Sequence, residues 1–480
     1  MLLGIDLGTS SVKVAVVAED GSVKGVASEG YAIDSPRPGW AETDPAEWWL
    51  ATRRAVASLS AEHLRGIEAI GFSGQMHGVV LVQEDGRAVR PAILWADGRS
   101  TNEVDRYRHL DPGLLRGLAN PIAPGMAGPI LLWLKRNESS GYEAARWALQ
   151  PKDWLRMQLT GKACGEPTDA SATLLYDFVR DGWAQEVVQE LDLRAALLPE
   201  LVASQQLAGR LAKTAADMLG IKAGVPVAAG AADAAASLVG TGVLAPGPVV
   251  LTIGTGAQMT AVRNEPKPDP TMRTNLFRTV EKGRWYSMAA ILNAGLALDW
   301  VRNLFQVEWS ELYQSVVDVP PGAGGVTFVP YLVGERNQRL DTSSEAGWSG
   351  IGLHHRREHL IKAALEGIAF ALHEATEALE ATGLSILELR LVGGGTASQP
   401  WRQMLSDVLG KRLFAFAGPA GGARGAALLA GLAAGTYKSL TDIAEIAPRS
   451  LLAAEPGGHA DEYSVVYRKW SARAALARTT

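Results

Sequence analysis

Two runs of apolar residues at the start of the chain flank a short polar turn. The apolar positions in 2–7 and 12–17 predict two β-strands, and the small residues between them predict a β-hairpin. Hydroxyl and backbone N–H donors on such a turn suit a phosphate, and a carboxylate at the strand end suits Mg²⁺. On this stretch alone, an ordinary hairpin turn explains the pattern equally well. The turn residues are Gly8, Thr9, Ser10 and Ser11, and the acid is Asp6.

The same pattern returns near the middle of the chain. Residues 249–262 again show an apolar run, a turn of small residues and a second apolar run. Aligning the two Gly-Thr pairs puts Asp6 opposite Thr252, so only the first copy carries a carboxylate. Two copies predict two similar halves that face one cleft, and a single acid beside it suits a site that cleaves ATP. The second turn consists of Gly254, Thr255 and Gly256.

Strands and helices alternate along the rest of the chain, which predicts an α/β fold. A strand over 67–72 runs into a polar cluster, and a second strand over 225–229 precedes Asp233, which opens a helix of small residues. A long helix is predicted from His359 to Thr382, with Gly383 ending it. Polar residues at strand ends are where α/β folds bind ligands, although an acid at a helix N-terminus is more often a simple cap.

Length and composition narrow the class of protein. A chain of 480 residues exceeds what one hydrophobic core supports, so two domains are expected, 1–244 and 245–480, joined at the turn-rich Leu244–Gly247. With 47% apolar and 20% charged residues, the chain has the composition of a globular protein. The net charge of −5 gives no support to nucleic-acid binding, which requires a basic face.

Cysteine usage and hydropathy indicate a cytoplasmic protein. Cys164 is the single cysteine, which rules out an intramolecular disulfide and fits a reducing compartment. No signal peptide is expected, because Asp6 interrupts the first apolar run, and no apolar run reaches the ~18 residues of a membrane span.

The order of these motifs resembles the FGGY family of carbohydrate kinases, within the actin and hexokinase superfamily, and most closely its xylulose kinases. The resemblance covers roughly 3–432 and rests on the N-terminal Asp-Leu-Gly-Thr-Ser, the later Gly-Thr turn and the loop Ser73–Gly78. It implies two ribonuclease H-like α/β domains with the active site in the cleft between them. It also implies ATP and Mg²⁺ as cofactors, a small sugar as substrate and no membrane or nucleic-acid partner. Because dimers are common in the family, a homodimer is one expectation from the resemblance, although no interface can be identified from the sequence.

The resemblance assigns roles to individual residues. Asp233 corresponds to the catalytic base, and Asp6 is expected to lie beside Mg²⁺. Both are candidate Mg²⁺ ligands and candidate catalytic residues. The two Gly-Thr turns are expected to contact the phosphates. The glycines after the strand over 387–392 let a flat ring lie against the backbone and resemble the family's adenosine-binding motif. The expected sugar-binding residues are Gln75, Met76, His77, Trp95 and Asp233, with Asp97 and Arg99 completing the pocket floor, and the expected adenosine-binding residues are Gly394, Gly395 and Ser398.

Two departures leave the sugar open. Many xylulose kinases carry an amide after the catalytic acid, where this chain has Ala234, and the loop after Arg336 differs from theirs at 337–341. The first hypothesis is ATP-dependent phosphorylation of D-xylulose on its 5-hydroxyl. The alternatives are the same chemistry on another ketose or polyol, such as D-ribulose, L-ribulose or glycerol, and an inactive binding protein on the same fold. The chain lacks a P-loop motif and a dinucleotide-binding Gly-x-Gly-x-x-Gly after its first strand.

Overall fold

The computed structural model describes residues 1–332 and 346–477. In the first half of the chain, thirteen short strands alternate with eleven helices. The strands are β1 (Leu2–Leu7), β2 (Ser11–Val17), β3 (Val23–Gly30), β4 (Glu42–Thr43), β5 (Ala69–Gly74), β6 (Val80–Val82), β7 (Ala92–Ile93), β8 (Trp147–Leu149), β9 (Tyr176–Asp177), β10 (Gly182–Trp183), β11 (Leu207–Arg210), β12 (Pro226–Ala228) and β13 (Ala231–Ala232). The helices are α1 (Pro45–Ala57), α2 (Ala61–Arg65), α3 (Val104–Arg108), α4 (Pro112–Leu118), α5 (Ala127–Asn137), α6 (Ser139–Ala144), α7 (Pro151–Thr160), α8 (Pro167–Ala170), α9 (Gln185–Glu190), α10 (Lys213–Leu219) and α11 (Asp233–Thr241).

The second half repeats the alternation with longer elements. Its strands are β14 (Val249–Ile253), β15 (Ala257–Arg263), β16 (Asn275–Arg278), β17 (Trp285–Ile291), β18 (Thr327–Val329), β19 (Gly347–Ser349), β20 (Glu388–Val392), β21 (Arg412–Phe416) and β22 (Ser450–Ala454). Its helices are α12 (Gly295–Phe305), α13 (Trp309–Asp318), α14 (Arg357–Ala381), α15 (Gln399–Leu409), α16 (Gly422–Ala434), α17 (Leu440–Glu445) and α18 (Ala460–Ala477). Among the described residues, no helix is both long enough and apolar enough to cross a bilayer.

The two main sheets share one strand plan. The first runs β11-β12-β5-β1-β2-β3, with β13 also beside β5, and the second runs β16-β17-β15-β14-β20-β21-β22. In each sheet a central strand pairs antiparallel with the next strand of the chain and parallel with a later one: β1 with β2 and β5, β14 with β15 and β20. The repeated hairpin pattern therefore predicted a repeated sheet, and the two-domain α/β fold is confirmed.

Local sequence explains the elements that frame the cleft. In β2 one face carries the buried Val12, Val14 and Val16. On the other face Lys13 is exposed, and the later positions are buried as well. Asp44 caps α1 by accepting the N–H of Ala46, and Pro45 occupies the first turn. Ser398 caps α15 by accepting from Trp401 N, as its position before an apolar helical face predicts.

The cores of the two halves meet in a cluster between the sheets. This cluster combines Leu2 and Ala69 from the first sheet, Val250 and Tyr286 from the second, and the small residues of α11 and α16. Helix α16 comes from the second half but packs against β1, β5 and β2 of the first sheet as well as against α11. Helices α11 and α16 are therefore the structural link between the halves.

Candidate active site

Strand register brings three candidate residues to one edge of the first sheet. Leu7 of β1 pairs with Gly74 of β5, and Gly74 pairs with Ala232 of β13, all in parallel. The next residue along each strand therefore leaves the sheet at the same edge. These three residues are Gly8, Gln75 and Asp233, and Asp6 lies one step back in β1 beside Ser73. The sequence motifs from 6–9, 73–78 and 233 thus converge on one place.

Asp6 lies beneath the first hairpin turn. Ser73 Oγ donates to Asp6 Oδ1 at 2.7 Å. Burial raises the pKa of Asp6, while the hydrogen bond from Ser73 and the charge of Lys13 oppose that rise. Gly422, the first residue of α16, approaches so closely that a Cβ there would lie 2.9 Å from Asp6 Oδ2. The positive end of a helix dipole therefore lies beside this carboxylate, an environment that favours anionic groups.

Asp233 is the first residue of α11, and its carboxylate accepts the N–H of Ala234 at 2.6 Å. Burial raises the pKa of Asp233 to about 7, and the negative charge of Asp6 adds to the rise. Because the charge of Asp6 acts on the pKa of Asp233, the Asp233 carboxylate lies within electrostatic reach of Asp6. A carboxylate with a pKa near neutrality is suited to accept a proton during catalysis.

Three side chains of the loop after β5 contact other parts of the protein. Gln75 Nε2 donates to the Gly8 carbonyl at 3.2 Å, so this amide fixes the first hairpin turn. His77 has a positive φ of 74°, and its Nδ1 donates to the Ala172 carbonyl at 2.7 Å, which orients the ring. Met76 Sδ lies 3.9 Å from the hydroxyl of Tyr286, in the second sheet. A strained His in a buried polar loop is typical of a functional site.

The stretch around Trp95 contacts the first hairpin turn. Trp95 Nε1 donates to Thr9 Oγ1 at 3.0 Å, which orients a hydroxyl of the turn. Asp97 and Arg99 pair with each other at 2.7 Å, and Arg99 also contacts Glu42 at 2.6 Å. Their charges are thereby neutralised within the first half, and this favours a bracing role over direct ligand contact.

The second half places its own glycine-rich turns at one edge. Thr252 of β14 pairs with Val392 of β20 in parallel, so the turns that follow these strands leave the sheet side by side. A Cβ on Gly395 would lie 2.6 Å from Ile253 Cγ2, so the loop presses its backbone onto β14. Ser398 uses its hydroxyl to cap α15. The structure brings Gly254, Thr255, Gly256, Gly394 and Gly395 together, with Gly254, Thr255 and Gly394 exposed.

Sequence reasoning missed several residues of the site. Tyr31 donates its hydroxyl to the Gly8 carbonyl, and Ser73 and Gly422 contact Asp6. Ser73 lay in the polar cluster after β5, and its pairing with Asp6 follows from the parallel register. Nothing in the local pattern marks Tyr31. The altered loop 337–341 lies outside the described residues.

The donor set around Asp6 fits Mg²⁺. Within 1–332 and 346–477, no group of three or more His, Cys, Asp or Glu side chains could enclose a metal. Mg²⁺ needs no such enclosure, because it keeps several waters and binds one or two carboxylates together with substrate phosphates. Asp6 and Asp233 supply carboxylates of that kind, and the first hairpin turn supplies phosphate-binding donors beside them.

Comparison with known proteins identifies both halves of the chain. Residues 1–240 match the N-terminal domain of the FGGY family of carbohydrate kinases, and residues 249–434 match the C-terminal domain of the same family. The two matches together cover most of the chain, in the order in which the domains occur here.

Similar proteins include several xylulose kinases. The chain is 35% identical to xylulose kinase of Escherichia coli (strain K12) over 446 residues, covering 92% of each protein. It is 34% identical to xylulose kinase of Bacillus subtilis (strain 168) over 450 residues, covering 92% of this chain and 90% of the relative. A crystal structure of a xyloylose kinase from Brucella ovis superposes with a TM-score of 0.89 at 33% identity, covering 98% of both chains.

Proposed function

The chain belongs to the FGGY family of carbohydrate kinases, and from this premise we propose that it phosphorylates D-xylulose on its 5-hydroxyl with ATP as donor. The observation that carries the proposal is the convergence of Asp6, Asp233 and the first hairpin turn at one sheet edge. The similarity to two bacterial xylulose kinases over 92% of the chain supports the choice of sugar.

Asp233 acts as the general base in this proposal. The 5-hydroxyl attacks the γ-phosphorus in line, its O–P bond forms as the bond to ADP breaks, and the hydroxyl proton passes to the Asp233 carboxylate. Because little covalent chemistry is left to the protein, most of the rate comes from holding the two reactants in place. The helix N-terminus at Asp233 and the hydrogen bond from Ala234 orient this carboxylate.

The phosphates are held by backbone donors of the two glycine-rich turns, and the adenosine lies along Gly394 and Gly395. The carboxylate oxygens of Asp6, with Asp233 nearby, would hold Mg²⁺. The ion supplies positive charge that offsets the charge developing on the phosphoryl oxygens. The sugar contacts Met76, His77 and Trp95. Gln75 affects sugar binding through its hydrogen bond to the Gly8 carbonyl, which fixes the first hairpin turn.

We further propose that residues 1–244 and 245–480 act as two domains that close around both substrates, that the protein works in the cytosol, and that it forms a homodimer. The buried free thiol of Cys164 is compatible with a reducing compartment. Helix α16 belongs to the second of these stretches but packs on the first sheet and on α11, so it is the contact about which the two domains would close.

A panel of sugars tests the substrate. In a coupled ADP-release assay with Mg-ATP, we expect D-xylulose to give the highest kcat/KM, by about tenfold or more over D-ribulose, L-ribulose and glycerol. A pocket built to hydrogen-bond a sugar discriminates strongly against sugars whose hydroxyls leave its polar groups unpaired. Excess chelator should abolish the release, and a reaction without sugar gives the background.

Another sugar could rank first, and one residue motivates that alternative. Ala234 is buried and offers no polar side chain next to the base. A panel in which D-xylulose ranks well below another ketose or polyol would overturn the choice of sugar and leave the kinase in place. Absence of sugar-dependent ADP release with every sugar would favour a binding protein on the same fold.

The elevated pKa of Asp233 predicts a pH dependence. The base accepts a proton only when ionised, so kcat/KM should be constant well above pH 7 and fall about tenfold per unit below it. Rates at subsaturating sugar and ATP report this pKa in the free enzyme. In Asp6→Asn the acidic limb should move to lower pH, because one negative charge that raises the pKa is removed. If kcat/KM of the wild-type protein fell only near pH 4, the assignment of Asp233 as the base would be contradicted.

A further inference from the structure

Behind the cleft, five charged side chains are buried together between α7 and α8. Lys152 Nζ lies 2.7 Å from Asp153 Oδ1, 2.9 Å from Asp169 Oδ2 and 3.2 Å from Glu166 Oε1. Arg156 Nη1 lies 2.7 Å from Asp153 Oδ1. All five are almost completely excluded from solvent. Burying charges costs desolvation energy that their attraction seldom exceeds, so fold stability alone gives little reason for such a cluster.

The cluster reaches the catalytic base through one hydroxyl group. Thr168 Oγ1 donates to Glu166 Oε1 at 2.7 Å and accepts the backbone N–H of Ala232 at 2.8 Å. The direction of these bonds is fixed by chemistry, since an ionised carboxylate only accepts and a backbone N–H only donates. Ala232 immediately precedes Asp233 and is the N-cap residue of α11. The hydroxyl of Thr168 therefore holds the peptide that leads into the base.

The same cluster holds the other end of this turn. Arg156 Nη1 donates to the Ala229 carbonyl at 2.5 Å, and Gly230 N donates to the Ser204 carbonyl at 2.9 Å. Gly230 has a φ of +83°, and a Cβ there would lie 2.4 Å from the Phe72 carbonyl oxygen. Residues 229–232 are thus fixed at both ends by groups that lie outside β12 and β13.

The base itself depends on this backbone. The hydrogen bond that the structure gives the Asp233 carboxylate comes from Ala234 N, the next residue of its own helix. Its direction is therefore set by where α11 begins, which the Ala232 peptide determines. A displacement of about 1 Å at a reacting group can lower a rate by about a hundredfold.

We propose that Thr168, oriented by Glu166, is a positioning residue that fixes Asp233 for proton abstraction; this role rests on the proposed function of Asp233 as the base. Serine at position 168 can donate to Glu166 and accept from Ala232 in the same way. Valine has nearly the same shape as threonine but leaves both partners without that bond.

The test compares T168V with T168S and with S204A. We expect kcat to fall by about 10- to 100-fold in T168V, with KM for ATP changed by less than about threefold, and to stay within about threefold of wild type in T168S. Ser204 Oγ also donates to Glu166, at 2.7 Å to Oε2, but is not the acceptor of the Ala232 N–H. S204A removes a comparable buried hydrogen bond from the same carboxylate and should keep nearly full kcat.

Counting ATP-binding sites separates positioning from loss of folded protein. Partial unfolding lowers the apparent kcat in proportion to the number of ATP-binding sites found by calorimetric titration, whereas a displaced base lowers kcat per bound ATP. The positioning role would be overturned by an unchanged kcat in T168V, or by a loss of the same size in T168S or in S204A, while Asp233→Asn stays inactive. Activity retained in Asp233→Asn would remove the base role and this inference with it.

Discussion

Asp233→Asn is expected to lower kcat by about 10³-fold or more while the affinity for ATP stays within about threefold. Asparagine has the shape of aspartate and can still accept the N–H of Ala234, now at 2.6 Å, so the start of α11 is preserved. It cannot accept the proton of the sugar hydroxyl, and general-base catalysis is worth about 10²–10⁴ in rate. Single-turnover kinetics with saturating sugar, together with calorimetric titration of ATP, measure the two quantities.

A matched control exists at another helix N-terminus. Asp44 caps α1 by accepting the N–H of Ala46 at 2.9 Å, and its exposed carboxylate is not among the residues that converge on the cleft. Asp44→Asn should leave kcat unchanged, which shows that the effect belongs to the site and not to helix capping. Turnover near wild type in Asp233→Asn would remove Asp233 from the base role. A variant that binds no ATP would instead point to a structural role.

The sequence predicted those parts of the site that depend on local patterns. Two apolar hairpins with Gly-Thr turns gave two similar sheets, and Asp233 stands at the start of a helix as expected. These features could be predicted because hydrophobic periodicity and turn chemistry act over a few residues. The predicted roles of individual residues as ligands of sugar, phosphate and metal stay predictions.

Long-range pairing was not predictable from the same patterns. Gln75 donates to Gly8, 67 residues away, and Trp95 donates to Thr9, 86 residues away, and neither partner was predicted. A polar side chain has several chemically equivalent partners, and only the assembled sheets decide which one it meets.

The buried charges of α7 and α8 illustrate the same limit. Lys152 and Asp153 lie in the first turn of α7, and both are buried although nothing in the local pattern marks them as such. Burial lowers the pKa of Lys152, but the carboxylates of Asp153, Asp169 and Glu166 outweigh it and raise that pKa above its usual range. Burial raises the pKa of Asp169 well above its usual value, which is consistent with three acids facing two bases.

Gly425→Ala is expected to destabilise the protein by roughly 3 kcal/mol or more, since overpacking a dense core costs about 1–3 kcal/mol where atoms can shift and more where they cannot. Helices α11 and α16 cross here backbone to backbone. A Cβ on Gly425 would lie 1.8 Å from the Ala236 carbonyl oxygen and 3.0 Å from Gly240 N. Both are main-chain atoms of α11, so no side chain can turn aside.

Helix α16 has no room to retreat from this contact, because its other side lies on the first sheet. A Cβ on Gly4 would lie 1.8 Å from the Ala423 carbonyl oxygen, and one on Gly71 would lie 2.0 Å from that of Ala426. The helix is therefore confined between α11 and the sheet by glycines on both sides, and the strain must displace whole elements. Since Gly422 of α16 lies against Asp6, the displacement should reach the active site as well.

Thermal unfolding of Gly425→Ala should show a melting temperature lower by roughly 10 °C, at about 2–4 °C per kcal/mol for domains of this size, or a failure to accumulate folded protein. The gain in helix propensity of about 1 kcal/mol from glycine to alanine acts in the opposite direction and is too small to offset the clash. Gly182→Ala is the control, since a Cβ there meets nothing within 4 Å. A melting temperature of Gly425→Ala within about 2 °C of wild type would mean that α11 and α16 separate freely. The two helices would then not be the rigid contact about which the halves are joined.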